Sequence, residues 1–459
     1  MTRTTIRSED ITPGAVDTSG LEDDIAILGF KVAANGSLGK YDLVDQTIDA
    51  FEDATGIDAS ASTDETRNSS NYYSGSSPAS TTGTVATTTY GSNTVYSFTG
   101  NGTLVAGSSG SADILIVGGG GGSGGSSNGR SAASGGGGAG GLLEGTSISL
   151  NAGTYTITVG AGGTGGLGES NGSPGNATAG GDSSISESTW GTSTATGGGT
   201  GSRTDDNHGG NGGSGGGVGG WFDSDDGYTG GTGTQADSNG LTGYGNDGGE
   251  DSQYSGGGGG GAGGAGGNAS GGTGGSAGAG RSNSFRTDSP VTYATGGVGA
   301  GTSSGNGADG SANTGNGGGG CYAAGSGNTD GGDGGSGIVV IKINTGDLDA
   351  SANMTLISNS TTAEATPTSG DIVMTYTNGA GTATINTDLK AWISRDNGST
   401  YTQATLSSEG TTGGHTILTA HNVDISGQPS GTSMRYKIET LNQSASKETR
   451  IQAVSLGWS

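Results

Sequence analysis

The stretch GGGGGGAGGAGGNASGGTGGSAGAG, from Gly256 to Gly280, has no apolar stripe and no helix-forming run. It lies in a longer glycine tract: 13 glycines precede Gly118 and 11 follow Gly337, so 84 of the 108 glycines lie between these positions. Only 28% of the 459 residues are hydrophobic, and low hydrophobicity with a high net charge is the usual signature of disorder. The tract is therefore either a flexible linker or an ordered structure that does not rely on an apolar core.

The non-glycine residues of this stretch recur with a period of three, which a random linker has no reason to keep. They are Ala262, Ala265 and Asn268 and, after one slip in phase, Thr273, Ser276 and Ala279. Period three is the turn of a polyproline-II helix, which has no internal hydrogen bonds, so its amides must pair with water or with neighbouring chains. Collagen is excluded because Gly fills two of every three positions and the whole chain has 6 Pro. The ordered alternative is a bundle of polyglycine-II helices, mostly antiparallel, joined by N–H···O=C bonds and Cα–H···O contacts.

Such a bundle is costly to order. Fixing the backbone costs about 1–2 kcal/mol per residue, whereas each interchain hydrogen bond returns about 0.5–1.5 kcal/mol. The bundle is therefore expected to fold only as a cooperative block docked on β-strands, and strand patterns bracket the tract at 112–117 and at 337–343. A β-branched side chain inside the bundle is expected to be very damaging, so Gly264→Val is predicted to abolish the cooperative melting transition.

The regions outside the tract differ from it in composition. From Leu21 to about Ile57 the apolar spacing predicts short helices, with Leu43, Val44, Ile48 and Phe51 on one stripe. These stripes are too short to be stable alone, so they form either a small helical subdomain or a surface buried against copies of the chain. Towards the C-terminus, alternating strands at 372–376, 389–393 and 434–438 predict a β-sandwich.

The predicted fold class is mainly β and irregular, with four regions along the chain. They are an N-terminal helical attachment and oligomerisation region (1–59), a Ser/Thr-rich linker (60–93), a glycine-rich domain of polyglycine-II helices and flanking strands (94–345), and a C-terminal antiparallel β-sandwich (346–459).

Charge and cysteine content exclude several classes of protein. The net charge of −26, from 42 acidic and 16 basic residues, argues against extended contact with nucleic acid or an anionic membrane. Cys321 is the only cysteine, so neither an intrachain disulfide nor a zinc cluster is expected. No segment has the length of a membrane span or the apolar core of a secretory signal, which predicts no membrane insertion and release by lysis, as for virion proteins.

No residue pattern predicts an enzyme or a cofactor. His208, His415 and His421 lie far apart without a nucleophile motif, and no carboxylate pair stands in an apolar context. The segment 394–401, SRDNGSTY, resembles the Asp-box hairpin of sialidases, and a single copy is interpreted as a turn rather than as a catalytic site. The acidic segment 223–227, DSDDG, lacks the closing Glu of an EF-hand, and a Ca²⁺ ion there is kept as an alternative.

Three stretches carry a family resemblance: ADILIVGGGG (112–121), AGGLLEGTSISLNAGTYTITVGAGGTGG (139–166) and GGDSSI (180–185). Over about residues 95–343 the chain resembles the glycine-rich domain of bacteriophage tail-fibre and adhesin proteins, and residues 21–58 are similar to N-terminal segments of marine phage tail fibres. In distal adhesins of T-even-like phages a related domain forms a polyglycine-II sandwich whose tip loops choose the host receptor. The resemblance implies a virion tail-fibre location, a homotrimer and contact with other virion tail proteins. The chain differs from the family pattern in that it continues past Ile343, which a terminal adhesin tip would not require.

The period of three is broken by insertions, and these contain most of the aromatic and charged side chains of the tract. Aromatics beside Asp, Asn and His suit a sugar or a protein partner, and they equally suit capping of the bundle ends. The predicted receptor-binding residues are His208, Trp221, Phe222, Asp223, Tyr228, Tyr244, Tyr254, Phe285, Tyr293 and Tyr322. The expected function is attachment to a host surface glycan or outer-membrane protein. The alternatives are a purely structural fibre or capsid-decoration protein, a glycan depolymerase, and a secreted bacterial matrix protein.

Overall fold

The computed structural model describes residues 41–43, 45–126, 132–169, 175–203, 208–221, 227–303, 305–323 and 327–459. In this part of the chain the regular structure is β-strand, without an α-helix. The chain divides into two compact units. The terminal unit combines the described residues up to Pro78 with Asp349–Ser459, and the glycine unit is Ala79–Leu348.

The strands are numbered in chain order. The first strands of the terminal unit are Tyr41–Leu43 (β1), Gln46–Asp49 (β2), Glu65–Asn68 (β3) and Tyr72–Ser77 (β4). Those of the glycine unit are Ser80–Tyr90 (β5), Asn93–Ala106 (β6), Gly110–Val117 (β7), Ala132–Ala133 (β8), Leu142–Leu150 (β9), Gly153–Thr158 (β10), Ser183–Glu187 (β11), Gly191–Ala195 (β12), Thr242–Tyr244 (β13), Arg281–Asn283 (β14), Val291–Tyr293 (β15), Tyr322–Ala323 (β16) and Ile338–Asn344 (β17). The remaining strands of the terminal unit are Ala350–Ser351 (β18), Met354–Ile357 (β19), Thr361–Thr362 (β20), Ser369–Ala380 (β21), Leu389–Ser394 (β22), Thr402–Ala404 (β23), Ser407–Thr412 (β24), His415–Asp424 (β25), Ser433–Thr440 (β26) and Glu448–Trp458 (β27).

The predicted N-terminal helices are wrong where the structure describes them. Residues 41–49 form the hairpin β1–β2, and β2 pairs with β27 near the other end of the chain, from Gln46 opposite Gly457 to Asp49 opposite Val454. All four residues of β2 are buried, so the strand shows no alternation that a sequence pattern could reveal. The rest of the predicted helical stripe, residues 21–40 and Val44, lies outside the described residues.

The segment 60–93, predicted as a linker, is instead built into sheets. It contains β3, β4 and β5, and β5 pairs with β6 from Ser80 opposite Val105 to Tyr90 opposite Asn93. Most of β5 is exposed, so its Ser and Thr side chains can remain hydrated while their backbone completes the ladder. A polar composition was therefore compatible with an edge strand.

The terminal unit consists of two antiparallel sheets around one core. One sheet has the order β1-β2-β27-β21-β25-β24, with β3, β4 and β18 beside it, and the other has β19-β26-β22-β23 with β20. Ile372 and Leu456 of the first sheet and Leu356 and Ile438 of the second belong to the same buried cluster. The strands expected at 372–376, 389–393 and 434–438 are parts of β21, β22 and β26.

The glycine unit is built on a sheet whose central strands β7 and β17 are buried on both faces. Its order is β12-β11-β10-β6-β17-β7-β9-β13, and β5 pairs with β6. Along β7 the fully buried Ile114 and Ile116 enter one apolar cluster, whereas Leu115 and Val117 enter the other. This two-sided burial explains the unbroken apolar run that leads into the glycines.

Extended glycine segments connect the strands of this sheet, and together we call the segments within residues 118–337 the glycine lattice. The segment 118–126 leaves β7, and its successive N–H groups donate to different neighbours. Except for Gly124, which donates to Gly201, each residue shares its neighbour with the residue three positions away. The N–H groups of Gly118 and Gly121 donate to the carbonyls of Gly141 and Gly138, respectively. Those of Gly119, Gly122 and Gly125 donate to Gly181, Thr178 and Gly175, and those of Gly120, Ser123 and Ser126 donate to Gly335, Gly332 and Thr329. The N···O distances of these bonds are 2.8–3.1 Å. Its carbonyls accept from Gly163, Gly166, Gly198, Gly201 and Gly318. The segment is therefore surrounded by hydrogen-bonded neighbours.

Most lattice glycines leave no room for a side chain. A Cβ on Gly119 would lie 2.0 Å from the carbonyl oxygen of Ala161, and one on Gly137 would lie 2.1 Å from that of Gly121. In glycine a Cα–H bond takes the direction of the missing Cβ and points at the carbonyl oxygen. Gly264 is different, because it lies in a turn closed by Gly261 and a Cβ there would be 3.8 Å from its nearest neighbour. The prediction for Gly264→Val is therefore wrong in its choice of position.

Candidate functional site

The predicted binding residues separate to the two ends of the glycine lattice. Because residues 118–141 leave β7 and return to β9, Gly118 and Gly141 lie at the sheet end, and Ser126 and Ala132 lie at the opposite, loop end. Chain connectivity and hydrogen bonds place the predicted binding residues at one end or the other. The loop end has His208, Trp221, Tyr228, Tyr254 and Tyr322, and the sheet end has Tyr244, Phe285 and Tyr293. Phe222 and Asp223 lie outside the described residues.

The aromatic residues at the loop end are held by one ring contact and by hydrogen bonds. The rings of His208 and Tyr228 meet edge to face at 5.5 Å, and His208 Nδ1 accepts a hydrogen bond from the Thr229 N–H at 3.0 Å. Trp221 is 38% exposed, and its carbonyl accepts a hydrogen bond from the N–H of Tyr254. His208 and Trp221 are therefore held by the lattice and remain accessible to a partner.

Two predicted residues are core residues. Tyr293 is completely buried in the cluster that contains Leu115 and Val340, and Tyr322 is 8% exposed and packs with Ala133 and Ala300. Neither ring can offer its face to a large ligand. Sequence reasoning grouped them with the exposed aromatics because an aromatic residue beside a break in the period has the same appearance in either role.

Polar side chains on the outer surface of the lattice have a structural role that the sequence analysis missed. At the surface a backbone N–H has no neighbouring segment to bind, and an exposed side chain supplies the acceptor instead. The pairs are Asp333 with Gly165 N (2.6 Å), Asp330 with Gly168 N (2.7 Å), Asn211 with Thr232 N (2.7 Å), Asp182 with Gly197 N (2.8 Å), Asp247 with Gly233 N (2.8 Å) and Asn268 with Glu250 N (3.0 Å). Their spacing of three at 330 and 333 was the available signal.

At the sheet end a groove of about 360 Å³ opens between β9, β13, β14 and the two residues that follow β14. The lining residues of this sheet-end groove are Glu144, Gly145, Thr146, Thr242, Tyr244, Ser282, Asn283, Ser284 and Phe285. It brings together Tyr244 and Phe285, which the sequence analysis predicted as binding residues at distant positions. Glu144 and Asn283 are new members that no motif had indicated.

The polar residues of the groove form a connected network with Arg281. Glu144 accepts hydrogen bonds from Arg281 Nε at 2.6 Å and from Asn283 Nδ2 at 2.9 Å, so both of its carboxylate oxygens are occupied. The guanidinium of Arg281 also lies 3.7 Å from the centre of the Tyr244 ring. Asn283 in turn accepts a hydrogen bond from the N–H of Phe285. The groove is thus rigidly supported, and the charge of Glu144 is matched by Arg281.

In the terminal unit, the Asp-box segment is a turn, as expected. Asp396 Oδ1 accepts from the Thr400 N–H at 2.9 Å and from the Ser394 hydroxyl at 2.8 Å. Asn397 and Gly398 both have positive φ angles, 61° and 83°, which suits a tight turn. Burial opposes ionisation of Asp396, but the hydrogen bonds from Thr400 and Ser394 outweigh it, so the pKa of this carboxyl lies below its usual value.

The described ranges contain neither a cluster of metal-ligating side chains nor a membrane-spanning helix. Within them, no group of three or more His, Cys, Asp or Glu residues could hold a metal ion. The acidic segment 223–226 lies outside these ranges, so the alternative of Ca²⁺ there stays a prediction. No helix long and apolar enough to cross a membrane occurs among the described residues.

Comparison with known proteins places the central part of the chain in a family. Curated proteins gave no match. The glycine-rich domain family matches residues 97–344, which begin within β6 and end with β17 and so include the whole glycine lattice and the sheet apart from β5 and the start of β6. Because this match covers more than half of the chain, the protein belongs to the glycine-rich domain family.

Proposed function

We propose that this protein is a non-enzymatic virion fibre protein that attaches to the host cell surface, and that its glycine lattice is a rigid bundle of polyglycine-II helices. The observation that carries the proposal is the lattice of hydrogen bonds between segments of the chain, in which most partners repeat every three residues. A segment with this period has no hydrogen bonds of its own, so its rigidity comes from its neighbours. Such a block is suited to hold short loops in fixed positions.

The proposed receptor surface is the loop end. His208 and Trp221 are exposed there beside Tyr228 and Tyr254, and aromatic and histidine side chains can contact sugars or a protein partner. Host surface glycan or outer-membrane protein is the proposed partner. The family resemblance adds the proposals of a homotrimer, of contact with other virion tail proteins, and of release into the medium with the virion. Several copies of a weak site would then act by multivalency.

The test is binding of fluorescently labelled protein to a panel of intact bacterial cells. We expect selective binding to some strains, and we expect the double variant His208→Ala, Trp221→Ala to lose most of it. Val298→Ala is the matched control, because Val298 is 52% exposed on the lattice and lies outside this aromatic group. Equal binding by the double variant and the control would contradict a receptor surface at the loop end.

A purely structural fibre is the second candidate. The polar side chains that cap the outer amides of the lattice favour it, because they show side chains serving the scaffold rather than a ligand. A structural fibre binds no host cell in the same assay. A glycan depolymerase, the least favoured alternative, would release reducing ends from host polysaccharide.

A further inference from the structure

We propose that the sheet-end groove binds a neutral sugar residue, as a site separate from the loop end. The groove lies between β9, β13 and β14, and its volume of about 360 Å³ falls at the lower limit of small-molecule pockets. It is therefore suited to a single sugar ring with part of its neighbour. The proposal does not depend on the fibre function, because a glycan-binding groove would be equally useful to a matrix protein.

Five hydroxyl groups line the groove. Among the described residues, no side-chain hydrogen bond involves the hydroxyls of Thr146, Thr242, Tyr244, Ser282 or Ser284, although all five line the same groove. A hydroxyl can both donate and accept a hydrogen bond. A polyhydroxyl ligand matches such a surface, since each of its own hydroxyls also has both capacities.

Two aromatic rings also line the groove. Tyr244 and Phe285 line the groove from two different elements and are half-buried, so each is fixed and partly accessible. Arg281 lies on the Tyr244 ring and is not itself a lining residue, which fixes the ring without filling the groove. Aromatic rings offer an apolar surface to the C–H groups of a sugar, while their surroundings bind its hydroxyls.

The charges at the groove favour a neutral ligand. Glu144 is the single charged lining residue, and both of its oxygens are already bound by Arg281 and Asn283. An anionic ligand would meet this carboxylate, and a cationic ligand would have to displace Arg281 from it. A neutral pyranose leaves the ion pair intact.

The experiment is saturation-transfer NMR followed by calorimetric titration of the full chain, with methyl glycosides of glucose, galactose and mannose and with glucuronic acid. We expect at least one neutral glycoside to bind with a Kd on the order of 1 mM, because the site engages little more than one ring. Phe285→Ala is expected to weaken this binding between about threefold and tenfold, and Tyr244→Phe, which keeps the ring, about threefold.

Val298→Ala is the matched control, because Val298 is exposed and lies outside both the sheet-end groove and the aromatic group of the loop end, and it is expected to bind the glycoside as the unmodified protein does. Circular dichroism of each variant checks that it is folded. The proposal is overturned if no neutral glycoside binds, if only glucuronic acid binds, or if folded Phe285→Ala and Tyr244→Phe bind as tightly as the control. Loss of cell binding in Trp221→Ala with intact glycoside binding would separate the two sites.

Discussion

At the scale of the residue, the glycine lattice depends on the hydrogen atom that glycine carries in place of a side chain. The carbonyl oxygens of neighbouring segments occupy the positions of the missing Cβ atoms, for example 2.0 Å from Gly119 and 2.1 Å from Gly137. A polar residue is accepted where the segment faces solvent, and there it often binds an outer N–H, as Asp333 does. A position therefore requires glycine where its Cβ direction points at a neighbouring segment, and it accepts a polar residue where that direction points at solvent.

Gly137→Ala is the sharpest test of this close packing. The added Cβ would meet the carbonyl of Gly121 at 2.1 Å, so the segments must separate and lose several hydrogen bonds. We expect a loss of more than about 4 kcal/mol in the free energy of unfolding, measured by urea denaturation. Gly264→Ala is the matched control, because its Cβ has ordinary contact distances, and we expect a change within about 1 kcal/mol. Similar losses for the two variants would contradict the lattice.

Asp333→Ala tests the outer caps. It removes the acceptor for the Gly165 N–H at 2.6 Å, and we expect a destabilisation of about 1–3 kcal/mol because the acceptor is charged. Asp333→Asn keeps an oxygen in the same place and is expected to lose less than half as much. Thermal melting of both variants gives the comparison, and an unaltered melting temperature for Asp333→Ala would show that water replaces the cap without cost.

At the scale of the element, strands of this protein differ in whether their burial produces an alternating pattern in the sequence. In β26 the buried and half-buried residues alternate, as a strand with one face in the core should, and the sequence predicts it. In β2 every residue is buried, and in β5 most are exposed, so neither shows a period of two. These two strands were consequently predicted as helix and as linker.

Acid should weaken the contact between Asp58, in the turn of residues 58–62, and Arg435 of β26. Hydrogen bonds from Ser60 and Arg435 lower the pKa of Asp58 to about 2 from its ordinary 3.8. A carboxylate with a lowered pKa contributes its full stability above the ordinary value and loses it as the pH falls through the folded value. We therefore expect the melting temperature of the terminal unit to fall between about pH 4 and pH 2.

The variant Asp58→Asn gives the control for this pH dependence. It should melt at a lower temperature at pH 7 and show a shallower decline between pH 4 and pH 2, as measured by circular dichroism. An identical pH profile for the two proteins would assign the acid sensitivity to other carboxylates.

At the scale of the whole molecule, the glycine unit should open as one block, because a single segment such as 118–126 binds neighbours drawn from residues 138–335. Cys321 reports on this cooperativity. Its side chain is completely buried, its sulfur lies 3.3 Å from the carbonyl oxygens of Gly124 and Thr329, and burial raises the pKa of the thiol.

Cys321 is therefore expected to react with a thiol reagent only when the unit unfolds. At pH 8 we expect labelling of the folded protein to be slower than that of the urea-unfolded chain by a factor of about 10³ or more. The variant Ser282→Cys, which adds a thiol at an exposed position, provides the reference for rapid labelling. Labelling of Cys321 in the folded protein at the unfolded rate would show local opening near the loop end.

The sequence by itself determined what kinds of segment this protein contains. A period of three with two glycines in each repeat requires backbones that bind one another, and alternating apolar residues require strands, because both patterns are local consequences of backbone geometry. Of the binding residues, it predicted the aromatic types and which insertions carry them. It could not separate the buried Tyr293 from the accessible Tyr244.

Only the tertiary structure decided which segments are neighbours. β2 is a strand because β27 lies beside it, although about 400 residues separate Ile48 from Ser455. The sheet-end groove likewise exists because Glu144 and Asn283, 139 residues apart, share a hydrogen bond. Such pairings depend on long-range hydrogen bonds and burial, for which a local pattern of residues carries no signal.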